Sequence, residues 1–105
     1  MWMTACRVED VPENGMKEVA VGGVPLLIVS AGGEHFAYQA QCPHEAVPLE
    51  QGVHDGSVLT CLEHLWQFDV RTGAPVGDSE SGLTAYRLRR AEGSLEVWIE
   101  APAAG

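Results

Sequence analysis

Basic residues are scarce in this sequence. Six lysines and arginines stand against fifteen aspartates and glutamates, so the formal net charge is −9 at pH 7. Binding to nucleic acid or to an anionic membrane surface needs a basic footprint, and the charge therefore argues against both functions. The same acidic balance suits docking to a partner protein that presents basic patches, because complementary charge speeds the encounter.

Long apolar runs and targeting signals are also lacking. The longest apolar run, residues 24–29, is far too short to cross a bilayer. Residues 1–6 have no basic cluster and no long apolar stretch, which predicts the absence of a secretion signal. Three cysteines are an odd number and fit a disulfide framework poorly. We therefore expect a cytoplasmic protein with two cysteines on metal and one thiol.

Helical periodicity is absent, and short strand signals take its place. Residues 17–21 alternate polar and apolar side chains, and residues 25–30 form an apolar, β-branched run. Gly22-Gly23 lies between them and predicts a hairpin turn, since glycine adopts positive φ without a steric penalty. Many short strands with glycine-rich turns in 105 residues predict one all-β domain, a barrel or a sandwich.

The last hairpin is predicted from residues 83–90 and 95–100. Period-two alternation in the second segment directs one set of side chains to the core: Leu95, Val97 and Ile99. The opposite face carries Glu96, Trp98 and Glu100. Arg87 and Arg89 are expected to lie across from these acidic residues and to form cross-strand pairs.

Two short motifs organise the chain: Cys42-Pro43-His44 and Cys61-Leu62-Glu63-His64. Each offers one thiolate and one imidazole from a loop that follows a predicted strand. Two soft sulfur ligands and two imidazole nitrogens describe a four-ligand metal site. In a Rieske-type [2Fe–2S] cluster, two histidines replace two cysteines on one iron, and this is the leading interpretation of the site.

The proposed ligand set divides between two iron ions. Cys42 and Cys61 would bind one iron, and His44 and His64 the other. Two ferric ions, two sulfides and two thiolates sum to zero charge, so one added electron makes the centre −1. One-electron transfer needs no substrate pocket, but it needs a docking face. Five apolar residues near the ligands are candidates for shielding the cluster or for docking: Pro43, Leu49, Leu65, Trp66 and Pro75.

The same stretches resemble a known family. Residues 37–44, residues 61–69 and Thr72-Gly73 strongly resemble the Rieske ferredoxins. Within that family the chain is most similar to the ferredoxin component of toluene 4-monooxygenase and of related alkene, isoprene and aromatic diiron monooxygenases. That similarity lies in the Cys-Pro-His loop and in His64-Leu65-Trp66. Ferredoxins of ring-hydroxylating dioxygenases usually have glycine at the position of Trp66.

The resemblance implies both a fold and a function. It implies a Rieske-type antiparallel β-sandwich over residues 1–105, with a small cluster-binding subdomain over approximately residues 41–77. It also implies an electron carrier rather than an enzyme. Such a carrier would pass single electrons from an NADH-dependent flavin reductase to a diiron hydroxylase. We expect a monomer, because a shuttle must leave each partner.

Two features of the high-potential Rieske proteins of respiratory complexes are missing. Those proteins have two further cysteines that join their loops, and the corresponding positions here hold Val47 and Glu63. They also have a serine near the second loop that hydrogen-bonds to the cluster, and no such serine follows His64. Both absences predict a low-potential ferredoxin, a prediction that a strongly positive value in a redox titration would contradict.

Several alternatives remain at this point. The chain could serve a ring-hydroxylating Rieske dioxygenase, or it could be a Rieske-like small subunit of a nitrite reductase. A zinc site with the same four ligands would make it a colourless binding module. His35 and His54 are predicted to be surface histidines without a function, and Cys6 is predicted to be a small buried residue of a strand.

Overall fold

The computed structural model describes residues 1–43, 47–62, 65–77 and 79–100. In these ranges the only helical elements are two 3₁₀ turns, Val8–Asp10 and Leu49–Gln51, and no helix is long and apolar enough to span a membrane. The prediction of an all-β fold is confirmed. The strands are β1 (Trp2–Arg7), β2 (Met16–Val21), β3 (Val24–Ala31), β4 (Glu34–Gln39), β5 (Val53–His54), β6 (Val58–Thr60), β7 (Gln67–Asp69), β8 (Pro75–Val76), β9 (Ala85–Tyr86), β10 (Leu88–Ala91) and β11 (Ser94–Trp98).

The described strands form three antiparallel sheets. The first has the order β1-β11-β10, the second β2-β3-β4-β9, and the third β5-β6-β7-β8. The first two sheets form the sandwich, and a core between them includes residues from β3 and β11. The third sheet is smaller and packs its apolar residues against the second sheet in a separate core.

Strand β3 is buried on both faces. Leu26 and Ile28 pack in the sandwich core, whereas Leu27 and Val29 pack in the core shared with the third sheet. Successive side chains of a strand point to opposite faces, so the continuous apolar run supplies two cores at once. The second sheet therefore packs against the first sheet on one face and against the third sheet on the other.

The segment predicted as one strand over residues 83–90 is divided between two sheets. Ala85–Tyr86 pairs with Ala37 and Tyr38 of β4, whereas Leu88–Ala91 pairs with β11. The chain changes sheets at Arg87. Tyr86 and Leu88 both pack against the sandwich core, so the alternation of side chains is maintained across the crossing and gives no sign of it.

The predicted faces of β11 are confirmed. Leu95, Val97 and the following Ile99 are buried in the sandwich core. On the outer face, the Arg89 guanidinium contacts the Glu96 carboxylate at 2.6 Å, as the register of β10 and β11 requires. Trp2 and Trp98 pack edge to face there with ring centroids 5.6 Å apart.

Candidate metal centre

Both cysteines of the predicted site begin a short loop that is closed by a backbone hydrogen bond. The Cys42 N–H donates to the Val47 carbonyl at 2.9 Å, and the Cys61 N–H donates to the Trp66 carbonyl at 2.8 Å. In both cases the acceptor lies five residues ahead of the cysteine. We call residues 42–47 and 61–66 the ligand loops. His44 and His64, the other two predicted ligands, lie outside the described residues.

The strands place the two cysteines that begin the ligand loops in the same core. Strand β4 leads into the first ligand loop, which is followed by a bridge between Gln41 and Pro48 and a bond from the Leu49 N–H to the Ala40 carbonyl at 2.8 Å. The second ligand loop connects β6 to β7, which pair directly. Cys42 and Cys61 therefore each lie at the end of a hydrogen-bonded pair of chain segments, which restricts their positions.

The burial of Cys42 and Cys61 supports their assignment as metal ligands. Cys42 is 4% exposed and Cys61 is 1% exposed, and both belong to the core shared by the second and third sheets. A thiolate in an apolar core needs a compensating positive charge, which an iron ion supplies. Soft sulfur donors that are shielded from water suit an iron–sulfur cluster.

The described residues do not by themselves complete a metal site. Within the ranges that the structure covers, no three His, Cys, Asp or Glu side chains come together as a possible metal site. The four-ligand set of the sequence prediction needs His44 and His64, which fall in the gaps between those ranges. The complete set therefore remains a prediction.

The five candidates for shielding or docking occupy different environments. Leu49 is fully buried in the core that contains both cysteines. Trp66 is half-buried and packs against that core, with its ring centroid 6.5 Å from that of Phe68. Pro43, Leu65 and Pro75 are exposed. Leu49 and Trp66 are thus placed to exclude water, whereas the exposed residues are available to a partner.

Leu62 is an exposed apolar residue that the sequence prediction did not single out. Leu62 is 56% exposed, and Leu65 in the same ligand loop is 66% exposed. Leu65 also has a φ of +57°, a left-handed conformation that is unfavourable for a leucine. The sequence signal was available, because Leu62 lies between Cys61 and His64.

Tyr38 connects the second sheet to the third sheet inside the core that these two sheets share. Its hydroxyl donates a hydrogen bond of 2.6 Å to the Val70 carbonyl. Burial, with a further contribution from the Asp69 carboxylate, raises the pKa of Tyr38 to about 12. The phenol is therefore a neutral structural donor at physiological pH.

His54 has a structural position that its sequence context did not indicate. Its Nδ1 accepts a hydrogen bond from the Gly56 N–H at 3.1 Å, and its Nε2 lies 3.2 Å from the Gly15 carbonyl. A carbonyl can only accept, so Nε2 carries the proton and donates. The ring therefore ties the third sheet to the segment that precedes β2.

Cys6 lies apart from the ligand loops, on β1. Its side chain is half-buried against the sandwich core, which agrees with the predicted packing role. Burial, followed by the nearby Asp10 carboxylate, raises the pKa of the Cys6 thiol. Its position on β1 and its packing against the sandwich core separate Cys6 from the two cysteines that lie in the core shared by the second and third sheets.

His35 is half-buried, and its surroundings predict that it makes the free energy of unfolding depend on pH. Burial, followed by the positive charge of Arg90, lowers the pKa of His35. The unfolded chain therefore binds a proton first as the pH falls. The contribution of His35 to the free energy of unfolding is therefore complete above the ordinary histidine pKa of about 6.5. It is lost as the pH falls through the lowered pKa of His35 in the folded protein. We expect urea unfolding midpoints to fall more between pH 7 and pH 5 for the wild type than for His35→Gln. Equal losses in the two proteins would contradict this.

The fold and the two buried cysteines together define a class of protein. An antiparallel β-sandwich carrying a small third sheet, with a buried cysteine at the start of each of two ligand loops, fits a protein that binds an iron–sulfur cluster. The model of the Rieske [2Fe-2S] domain family matches residues 1–87. The chain belongs to the Rieske [2Fe–2S] domain family.

Individual relatives agree with this assignment. The chain is 32% identical to the methanesulfonate monooxygenase ferredoxin subunit of Methylosulfonomonas methylovora, over 93% of this chain and 80% of the relative. It is 30% identical to the ferredoxin component of the alkene monooxygenase system of Xanthobacter autotrophicus, over 94% and 82%. A chain in the solved complex of reduced oxygenase and oxidized ferredoxin in carbazole 1,9a-dioxygenase is 28% identical, with a TM-score of 0.82 and 91% of each chain covered.

These similarities confirm several predictions made from the sequence. The protein is a Rieske ferredoxin, its cofactor is a Rieske-type [2Fe–2S] cluster, and it is an electron carrier rather than an enzyme. The zinc-binding alternative is thereby set aside.

Proposed function

We propose that this ferredoxin carries single electrons from an NADH-dependent flavin reductase to the diiron hydroxylase of a multicomponent aromatic or alkene monooxygenase. The observation that carries the proposal is the pair of buried cysteines on ligand loops with the same closure, in a chain of the Rieske family. Similarity to the ferredoxin component of an alkene monooxygenase system supports the choice of partner. The cytoplasm is the proposed location, with the protein as a monomer.

The proposed ligands are Cys42 and Cys61 on one iron and His44 and His64 on the other, within a cluster-binding subdomain of approximately residues 41–77. When bound, the cluster supplies a centre that gains and loses one electron. The chain excludes water on the inner side, where Leu49 and Phe68 are fully buried in the same core as both cysteines. This apolar environment is one of the factors that tune the reduction potential.

The proposed docking face consists of exposed apolar residues on the ligand loops: Pro43, Leu62 and Leu65. Exposed apolar residues on a protein of net charge −9 fit partners with an apolar centre and a basic rim. One face that serves both the reductase and the hydroxylase requires the two partners to dock in turn. A shuttle of this kind needs fast release, which favours a small interface.

A ring-hydroxylating dioxygenase is the second candidate partner. Similarity to a chain in the oxygenase and ferredoxin complex of carbazole 1,9a-dioxygenase favours it. The tryptophan at position 66 favours the monooxygenase, because the family resemblance implies glycine at that position in ferredoxins of ring-hydroxylating dioxygenases. The two candidates differ in the metal centre that accepts the electron.

Stopped-flow mixing separates the two candidates. The reduced ferredoxin is mixed, without oxygen, with the oxidised diiron hydroxylase of its host organism and separately with a terminal Rieske oxygenase. We expect reoxidation of the ferredoxin, followed by its visible absorbance, to be fast with the hydroxylase and slow with the oxygenase. The reverse order would replace the proposed partner. No reoxidation by either protein would overturn the proposed role in an oxygenase system.

Leu65→Asn tests the docking face. Asparagine tolerates the left-handed conformation of residue 65, so the variant is expected to be at least as stable as the wild type. Loss of an exposed apolar contact is expected to lower the second-order rate of electron transfer to the hydroxylase by roughly tenfold, as for a central interface residue. Stopped-flow rates at several hydroxylase concentrations measure the effect.

Ala74→Asn is the matched control. Ala74 is exposed in the turn between β7 and β8, at the end of that hairpin opposite to the second ligand loop. We expect the control to transfer electrons at the wild-type rate. Equal rates in Leu65→Asn and Ala74→Asn would remove Leu65 from the docking face.

A further inference from the structure

Two side chains outside the ligand loops connect these loops to one segment of the chain. The segment comprises residues 79–84, and we call it the clamp segment. It is anchored in its own right, because the Leu83 N–H donates to the Gly73 carbonyl at 2.8 Å. Gly82 packs so closely on the same turn that an added Cβ would lie 2.8 Å from the Gly73 carbonyl oxygen. The clamp segment therefore has a defined position on the third sheet.

Ser79 connects the clamp segment to the second ligand loop. Its hydroxyl accepts a hydrogen bond from the Gln67 N–H at 2.8 Å and donates one to the Gln67 carbonyl at 2.9 Å. Both backbone groups of one residue are thus bonded to one side chain. Gln67 directly follows Trp66, whose carbonyl closes the second ligand loop by accepting from the Cys61 N–H. Ser79 therefore restrains the residue next to that closure.

Gln39 connects the clamp segment to the first ligand loop. The Thr84 N–H donates to its side-chain oxygen at 2.8 Å, and the Gln39 N–H donates to the Thr84 carbonyl at 3.0 Å. The Nε2 of Gln39 donates to the Gln41 carbonyl at 2.7 Å. Gln41 directly precedes Cys42. One amide side chain thus joins the clamp segment to the residue before a predicted ligand.

We propose that Ser79 and Gln39 are positioning residues, which use the clamp segment to hold Cys42 and Cys61 at a defined separation. Their five polar contacts join three parts of the chain that are distant in sequence. A site whose ligands are held in place loses less order when it binds a metal group and releases the group more slowly. Neither Ser79 nor Gln39 belongs to the predicted ligand set, and both act through backbone groups next to the ligand loops, so their effect on the cluster is indirect.

The test measures retention of the cluster in the purified, cluster-loaded ferredoxin. Loss of visible absorbance is followed in the presence of an iron chelator. We expect Ser79→Ala and Gln39→Leu each to release iron roughly tenfold faster, since each loses at least two hydrogen bonds. Ser81→Ala and Gln51→Leu are the matched controls, because both residues are exposed, and they are expected to release iron at the wild-type rate.

Conservative variants separate positioning from general destabilisation. Ser79→Thr retains the hydroxyl and is expected to restore the wild-type release rate. Gln39→Glu retains the acceptor for the Thr84 N–H but loses the donor to Gln41, and an intermediate rate is expected. The EPR line shape and the reduction potential of the folded Ser79→Ala protein are expected to shift. Unchanged release, EPR line shape and potential in Ser79→Ala would overturn the inference, as would fast release by folded Ser79→Thr.

This inference rests on the proposed assignment of Cys42 and Cys61 as ligands. Purified wild-type protein that contains no iron would overturn that assignment. Wild-type protein with a normal cluster, together with variants that retain it normally, would overturn only the role of Ser79 and Gln39.

Discussion

Replacing either Cys42 or Cys61 by serine is expected to abolish the cluster. Both thiol groups are buried in one core at the start of ligand loops with the same closure, and a serine hydroxyl does not replace thiolate as a ligand for iron in this environment. Binding of a metal group contributes to the free energy of folding, so the variants are also expected to be less stable. Iron and acid-labile sulfide are expected to fall to near zero per chain, and the visible spectrum and the low-temperature EPR signal of the reduced protein are expected to disappear.

Cys6→Ser is the matched control for these two variants. Cys6 is half-buried against the other core, far along the chain from either ligand loop, and its raised pKa keeps the thiol protonated. The control is expected to retain two iron ions and two sulfides per chain, because a [2Fe–2S] cluster contains that number. A full iron content in Cys61→Ser would show that Cys61 is not a ligand. Loss of iron in Cys6→Ser would show that the third cysteine had been assigned wrongly.

Gly73→Ala is expected to cause a large loss of stability. Gly73 has a φ of +76°, which costs a non-glycine residue about 1–2 kcal/mol. A Cβ at this position would lie 2.9 Å from Cε1 of Tyr38 and 3.1 Å from the Leu83 carbonyl oxygen. Tyr38 is 2% exposed and its hydroxyl is bonded to Val70, so the ring cannot move away without breaking that bond. Overpacking of this kind costs about 1–3 kcal/mol more.

The control for Gly73→Ala is Gly33→Ala in the turn between β3 and β4. Gly33 has a similar φ of +82°, but an added Cβ there would meet no heavy atom within 4 Å. The control therefore measures the backbone cost alone. Thermal unfolding is expected to show a decrease of roughly 10–20 °C for Gly73→Ala and less than half of that for Gly33→Ala. Equal decreases in the two variants would mean that the contact with Tyr38 carries no cost.

The sequence was most informative about features that depend only on residues close together in the chain. The two Cys and His motifs define a chemical site within a few residues, so the cofactor and the family followed from them without the fold. The alternation in residues 95–100 predicted the buried face of β11 correctly, because the period of a strand is a local property. The Gly22-Gly23 turn was predicted for the same reason and lies between β2 and β3.

The sequence was less informative where a residue has two neighbours that are distant in the chain. Residues 83–90 alternate as one strand does, yet they pair first with β4 and then with β11. His54 lies in a polar, turn-rich stretch, and nothing near it indicates that its ring bonds to Gly15, which is 39 residues earlier. In both cases the deciding contact joins segments that no local pattern relates.

The sequence by itself determined the all-β class, the Rieske family and the choice of Cys42 and Cys61 as the candidate ligands. Strand periodicity and ligand chemistry can both be recognised within a few consecutive residues. Only the tertiary structure decided that β3 contributes side chains to two cores and that both cysteines lie in the core shared with the third sheet. It also decided that Ser79 bonds to Gln67 and that Gln39 bonds to Thr84. The bond between Thr84 and Gln39 spans 45 residues, and that between Ser79 and Gln67 spans 12. Such contacts depend on how the sheets pack, which is a property of the whole chain.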